Sequence, residues 1–141
     1  MILLDTDHLT LLKYTANPRC QALTARMQAS SDQDMTTTII SVEEQWRGWF
    51  AVIARHRDVR RQVKPYEELV ELHAFLSDWT IIPFDDAAAY RFEQIRAAGV
   101  RIGTMDLKIA SIALVRDALV LSANLQDFQK VPGPRVENWL S

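Results

Sequence analysis

Met1-Ile2-Leu3-Leu4-Asp5-Thr6-Asp7-His8 opens the chain as an apolar run that stops abruptly on an acid. An uninterrupted apolar segment of this length suits a strand covered on both faces, as in a parallel sheet. The spacing predicts strand over Ile2–Asp5. Working outward, Met35–Ile40 (MTTTII) is short and β-branched, and Thr80–Pro83 (TIIP) and Ala118–Ser122 (ALVLS) repeat the pattern. Val136 fits a short edge strand. Helical segments separate these strands, so the expected architecture is a single α/β unit over residues 1–141: a central parallel sheet of four to five strands sandwiched between helices.

The helices carry their own punctuation. Asp7 is the expected N-cap of a short first helix, and Pro18 after Asn17 suits the first position of a second helix running to about Ser30. Ser41 is expected to open a third, in which Val42, Trp46, Trp49, Phe50 and Ile53 fall on one face of a 3.6-residue period. Pro65 breaks the polar stretch that follows. Leu69, Leu72, Leu76 and Trp79 then mark a second stripe, which predicts an antiparallel hairpin with the first. Asp85 is the expected cap of a helix through about Ala97, and Thr104 opens the helix bearing Asp106.

Composition narrows the functional classes. Hydrophobic residues make up 48% and charged residues 24% of the 141, the balance of a globular protein. A formal charge of −2 argues against passive attraction of nucleic acid to the whole surface, although local basic patches remain available. The one cysteine, Cys20, makes neither an intramolecular disulfide nor a metal motif. Asp5 and Asp7 interrupt any signal-peptide core, and no apolar stretch approaches the ~18 residues of a membrane span. A reducing cytoplasm is the expected setting.

Four acids stand where an α/β fold can gather them. Asp5 ends the first strand, the place where open parallel sheets put ligands. Glu44 lies three residues after Ser41, a spacing that also matches a capping box, with Glu43 about 100° away on the helix as the fallback. Asp106 sits in the first turn of a helix whose Ile109, Ala110 and Ala113 suit close packing on the sheet. Asp127 lies in the loop after Ala118–Ser122, where Asp and Asn often only turn the chain. Two carboxylates ~4 Å apart repel by several kcal/mol at an effective dielectric of ~20. Gathered together, the four would form an oxygen-ligand pocket for a hard cation such as Mg²⁺.

The order of these elements resembles the PIN-domain ribonucleases, specifically the VapC-type toxins of toxin–antitoxin pairs. The residues that carry the resemblance are Leu4-Asp5-Thr6-Asp7-His8; Ser41, Glu44 and Gly48; Asp106, Ile109 and Ala110; then Ser122, Asn124, Asp127-Phe128, Val131-Pro132-Gly133 and Trp139. Each element is weak alone, and their order from residue 4 to residue 139 makes the set specific. The resemblance implies an endoribonuclease dependent on Mg²⁺ or Mn²⁺, with hydrolysis by a metal-activated water. Asp5, Glu44, Asp106 and a fourth group would form the site; Asn124, Asp127 or a water between them fills the fourth place, and Asp127 is the acid among these. Thr6, Ser122 and Asn124 would orient the groups around it. The resemblance also implies a small antitoxin partner and a homodimer.

Outside the acids, Arg55, Arg57, Arg60, Arg61 and Lys64 cluster around the expected hairpin, opposed only by Asp58. Such a run is ordinarily a solvated face; its functional reading is contact with an RNA backbone. His8 reads as a surface or capping group, and the tryptophans as core or dimer contacts rather than base platforms. Two rival functions compete. One is a haloacid-dehalogenase-like phosphatase with Asp5 as nucleophile, suggested by Asp5-Thr6-Asp7 and by Phe84-Asp85-Asp86. The other is an inactive binding module that keeps the fold.

Overall fold

A computed structural model of the chain describes residues 1–140. Five strands form one sheet in the order β3-β2-β1-β4-β5, with every pairing parallel. They are β1 (Ile2–Leu4), β2 (Met35–Thr38), β3 (Ile81–Ile82), β4 (Leu119–Leu121) and β5 (Arg135–Glu137). The opening run is therefore the central strand, as its unbroken apolar character requires. The connecting helices are α1 (Thr6–Leu11), α2 (Pro18–Ala29), α3 (Ile39–Arg55), α4 (Val63–Leu76), α5 (Asp86–Ala97), α6 (Thr104–Arg116) and α7 (Leu125–Phe128). A single 3-10 turn, Val59–Gln62, joins α3 to α4.

Alternation along the strands sorts the core into two layers, since successive side chains of a strand point to opposite faces. Leu3, Ile82 and Val120 face α5 and α6, where Ala88, Ile95, Leu107, Ile109, Ala110 and Ala113 are buried around them. Ile2, Leu4 and Leu121 face the other way, against Leu9 of α1, Val42 of α3 and Leu72 and Leu76 of α4. The small residues of α6 let that helix sit directly on the sheet, which brings Asp106 to the edge where the strands end.

β2 consists of three consecutive threonines after Met35, all buried, and each hydroxyl has a partner. Thr36 Oγ1 donates to Ile2 O and Thr37 Oγ1 to Leu4 O, each at 2.8 Å. Thr38 Oγ1 accepts the Ser41 N–H at 3.2 Å and so caps α3. This corrects the expected strand end at Ile40 and the expected helix start at Ser41. The capping box is not formed: Ser41 lies inside the helix, and its Oγ is buried without a hydrogen-bond partner.

The start of α1 also differs from expectation. Asp5, not Asp7, is its N-cap, with Oδ1 accepting the Thr6 N–H at 2.7 Å. Asp85 caps α5 as expected, through the Ala88 N–H at 2.9 Å. The α3–α4 corner is closed by Gln62, whose Nε2 donates to His56 O at 2.7 Å and Ile53 O at 3.2 Å. Of the predicted α3 stripe, Val42 is buried, while Trp46 and Phe50 stand exposed.

Candidate active site

Parallel strands leave their carboxyl ends at one edge, and the two central ones deliver the heart of the site. Asp5 follows β1 and Ser122 follows β4, and the backbone ties them in register: the Asp5 N–H donates to Leu121 O at 2.9 Å. The Ser122 hydroxyl then donates to Asp5 Oδ2 at 2.7 Å. The Ser122 oxygen in turn accepts the Asn124 N–H at 3.0 Å, which bends the chain back over the site. Asp5 is only 7% exposed. Burial pushes its carboxyl up to about 7 against the pull of the Ser122 and Thr6 hydrogen bonds, and the nearby charges of Asp7 and Asp106 push it the same way.

Glu44 arrives from the second turn of α3, on the strand-end side of the sheet. Thr6 Oγ1 donates to Glu44 Oε2 at 2.8 Å, joining α1 to α3 across the site. Burial raises the Glu44 carboxyl above its ordinary range, opposed by the Thr6 hydroxyl and reinforced by Asp106, Glu43 and Asp7. Its neighbour Glu43 instead pairs with Arg47 one turn on, at 2.6 Å.

Asp106 stands in the first turn of α6. Burial raises it too, the Asn124 amide opposes that rise, and Asp127 and Asp7 add to it. Asn124 Nδ2 bridges two acids, donating to Asp106 Oδ2 at 2.7 Å and to Asp127 Oδ2 at 3.0 Å. Asn124 thus lies between the carboxylates as a donor, and Asp127 is the outer acid. The Asn124 amide holds Asp127 below the usual carboxylate range, helped by Lys130, whose Nζ lies 3.5 Å from Oδ1.

Two residues at this edge were not assigned to it from the sequence. Asp7 contributes negative field to Asp5, Glu44 and Asp106 alike. Its own burial would raise it, but the His8 ring and the backbone N–H groups of Ala123 and His8 outweigh that and lower it. His8 is fully buried, not a surface group. Its Nε2 accepts the Trp139 N–H at 3.1 Å, which leaves Nδ1 to donate to Asp7 Oδ1 at 2.6 Å. No local sequence pattern announces a contact between residues 8 and 139.

The donor set suits a hard divalent cation: three part-buried carboxylates, each raised by its burial and by its acidic neighbours, are a concentration of negative charge without a neutralising partner. Among the described residues no three acids, histidines or cysteines are gathered closely enough to hold a metal ion as the side chains stand. The phosphatase reading is not favoured. Asp7 is committed to His8 and Ala123, while Asp85 is engaged in capping α5 and lies 3.7 Å from Arg116.

The fold and this strand-end cluster define an α/β protein with a parallel sheet and an acidic site at its carboxyl edge. No protein-family model matches the chain. In sequence it is similar to the tRNA(fMet)-specific endonuclease VapC of Salmonella typhimurium, 32% identical over 83 residues that make up 56% of this chain and 63% of that protein. Ribonuclease VapC2 of Rickettsia felis is 31% identical over 85 residues, 57% of this chain and 63% of the relative. The match therefore spans just under two thirds of these relatives' length. In structure the likeness covers the whole chain. A chain of the DNA-bound VapBC complex from Salmonella typhimurium superposes with a TM-score of 0.72 at 25% identity, covering 98% of this chain and 97% of that one. A chain of Rickettsia felis VapBC2, solved with a promoter DNA fragment, shares the fold with a TM-score of 0.70 at 22% identity and 99% coverage of both. The chain is thus similar to VapC proteins over part of its sequence and shares the fold of chains from VapBC complexes.

Proposed function

We propose that this chain is a divalent-metal-dependent endoribonuclease, the toxin of a toxin–antitoxin pair. The observation that carries the reading is Asp5 at the end of the central strand, buried, with Asp106 near enough to push both it and Glu44 upward. Nothing in the fold's stability calls for three such charges at one edge, since burying unpaired carboxylates costs free energy. A bound Mg²⁺ or Mn²⁺ would offset that cost and would supply Lewis acidity at the scissile phosphate.

Asp5, Glu44 and Asp106 would hold the ion, with Asp127 as the outer fourth acid. Ser122 and Thr6 fix the carboxylate rotamers of Asp5 and Glu44 through the hydroxyl bonds described above. Asn124 holds Asp106 and Asp127 in fixed relation and lies where a phosphate oxygen would meet the site. No histidine or cysteine nucleophile is required, and His8 is occupied at both nitrogens. The exposed Arg55, Arg57, Arg60, Arg61 and Lys64 would contact the RNA backbone; only Lys64 has an acidic partner among the described residues, Glu68 at 3.9 Å.

The relatives support the partners. The similar solved chains come from VapBC complexes, which favours a small antitoxin as the inhibitor of this one. Homodimerisation has apolar area available to it, since Ile39, Trp46 and Phe50 line a hollow of about 450 Å³. Monomeric elution across micromolar concentrations would refute the dimer. No helix among the described residues is long and apolar enough to cross a membrane.

The test is cleavage of total RNA by purified protein with Mg²⁺ or Mn²⁺, against EDTA and against Asp106→Ala. Metal-dependent cuts that disappear in the variant are expected. Wild-type protein that neither cuts RNA nor gains thermal stability from either ion would leave the inactive binding module as the better reading.

A further inference from the structure

Beside the acids, α1 and α3 enclose an open groove of about 280 Å³ that the catalytic reading leaves unused. Thr6 and Glu44 form its inner end. From there it runs outward past Thr10, Gln45 and Gly48 to Lys13, Tyr14 and Trp49. We propose that this groove is a subsite for the base of a nucleotide next to the scissile phosphate, so that Gln45 and the aromatic wall select which RNA positions are cut. The inference rests on the ribonuclease reading and gives it a determinant of sequence preference.

Three observations point to an organic, base-like occupant. The first is Gln45. Its Nε2 reaches Thr10 Oγ1 at 3.4 Å, while its Oε1 is buried without any partner. Turning the amide over exchanges the two ends but still leaves one of them unbonded, because the Thr10 hydroxyl can serve as donor or acceptor. The free end is buried in the wall of the groove, and by turning outward it would read the hydrogen-bonding edge of a base.

The second is Gly48, in the interior of α3. Glycine weakens a helix relative to alanine, so it needs a reason there. The fold supplies none: its backbone is ordinary helix, and a Cβ built on it would meet nothing within 4 Å. The absent side chain keeps the groove open instead. The third is the wall itself. Tyr14 is 56% exposed at the outer end, and Trp49 has one side on the core and another lining the groove. Aromatic faces beside a lysine that makes no ion pair among the described residues suit stacking of a base and contact with its phosphate.

The volume lies at the low end for small-ligand sites, the scale of one nucleotide unit rather than a folded partner. Continuity with Glu44 and Thr6 places that unit next to the reacting phosphate. An inhibitory peptide could fill the same space, and it stands as the competing outcome.

The experiment compares wild type, Gly48→Leu, Gln45→Leu and Asp106→Asn on a pool of random-sequence RNA, mapping cut sites and measuring KM and kcat. Gly48→Leu fills the groove while favouring the helix, so its melting temperature should rise and Mn²⁺ should still stabilise it. Its KM should increase about tenfold or more, the loss expected when a base cannot stack. Gln45→Leu should change the base preferred beside the cut. Both variants cutting the wild-type sites with wild-type KM would overturn the proposal, and so would unchanged cutting with abolished binding of an antitoxin peptide. The ribonuclease reading is judged separately, by whether wild type cuts with metal and Asp106→Asn does not. Should wild type fail to cut, binding of labelled single-stranded oligoribonucleotides still decides the groove: weaker binding by Gly48→Leu upholds it, and equal binding removes it.

Discussion

The strand-end cluster and the α3–α4 corner both concentrate charge, and they do so on opposite terms. At the strand ends, acids are drawn out of water and held by single hydroxyl and amide bonds, so their charge is costly and their positions are fixed. At the corner, Arg55, Arg57, Arg60 and Arg61 stand in solvent with no carboxylate partner among the described residues, apart from the capping of the 3-10 turn by Asp58 through the Arg60 N–H. Charge left in water does little for geometry, whereas charge held out of water points to a ligand. The contrast separates a place suited to chemistry from a place suited to attraction.

Replacing Asp5 should break this comparison most severely. Asp5→Asn is expected to lower RNA cleavage by more than ~100-fold, beyond the loss typical of residues that merely support a metal ligand. The same variant should melt higher than wild type at pH 7.5 without metal, because the neutral amide removes a buried charge. A lower melting temperature would mean that the bonds Asp5 accepts from Thr6 and Ser122 outweigh the burial of its charge.

Next in size is the pH dependence. The folded Asp5 carboxyl sits at about 7, above its ordinary value of 3.8, so the folded state binds this proton more tightly than the unfolded chain. Its contribution to stability is fully present below about pH 4 and is lost as pH rises through about 7. Glu44 and Asp106 are raised in the same direction and add to the slope. Metal-free protein should therefore lose a few kcal/mol of stability between pH 4 and 7.5 from these groups. Mn²⁺ should restore more of it at pH 7.5 than at pH 5. Denaturation midpoints that are flat with pH, with and without the ion, would contradict this arrangement of acids.

The smallest effect belongs to the corner. Arg60→Ala with Arg61→Ala should weaken RNA binding, with kcat unchanged. The slope of log K against log salt should fall by about 1 for each phosphate that is no longer neutralised. An unaltered slope would return this face to the role of ordinary solvated surface.

Much of the fold was legible because its signals are local. The apolar opening, the β-branched start of MTTTII and the core of the ALVLS run are strands by composition, and their alternation with helices implies the parallel sheet. Where sequence and structure differ, a tertiary contact outweighs a local rule. Ser41-x-x-Glu44 has the spacing of a capping box, yet Thr38 caps α3, because β2 ends there and turns its third threonine into the helix entrance. Asp7 looks like the cap of α1, but Asp5 takes that role while also meeting Ser122. The places of the individual acids, at strand ends and in helix turns, were readable. Their supporting bonds, the part played by Asp7, and the burial of His8 under Trp139 depend on partners distant in the chain, and no window of sequence contains them.

One consequence concerns biosynthesis. Asp5 leaves the ribosome well before the hydroxyl that orients it, which belongs to residue 122, 117 positions later. Strand β1 lies between β2 and β4, so the growing polypeptide can pair it on one side early and must wait for the other. A nascent chain released before β4 has emerged carries the first carboxylate with no lattice to aim it. The strand-end site is thus complete only once β4 is in place.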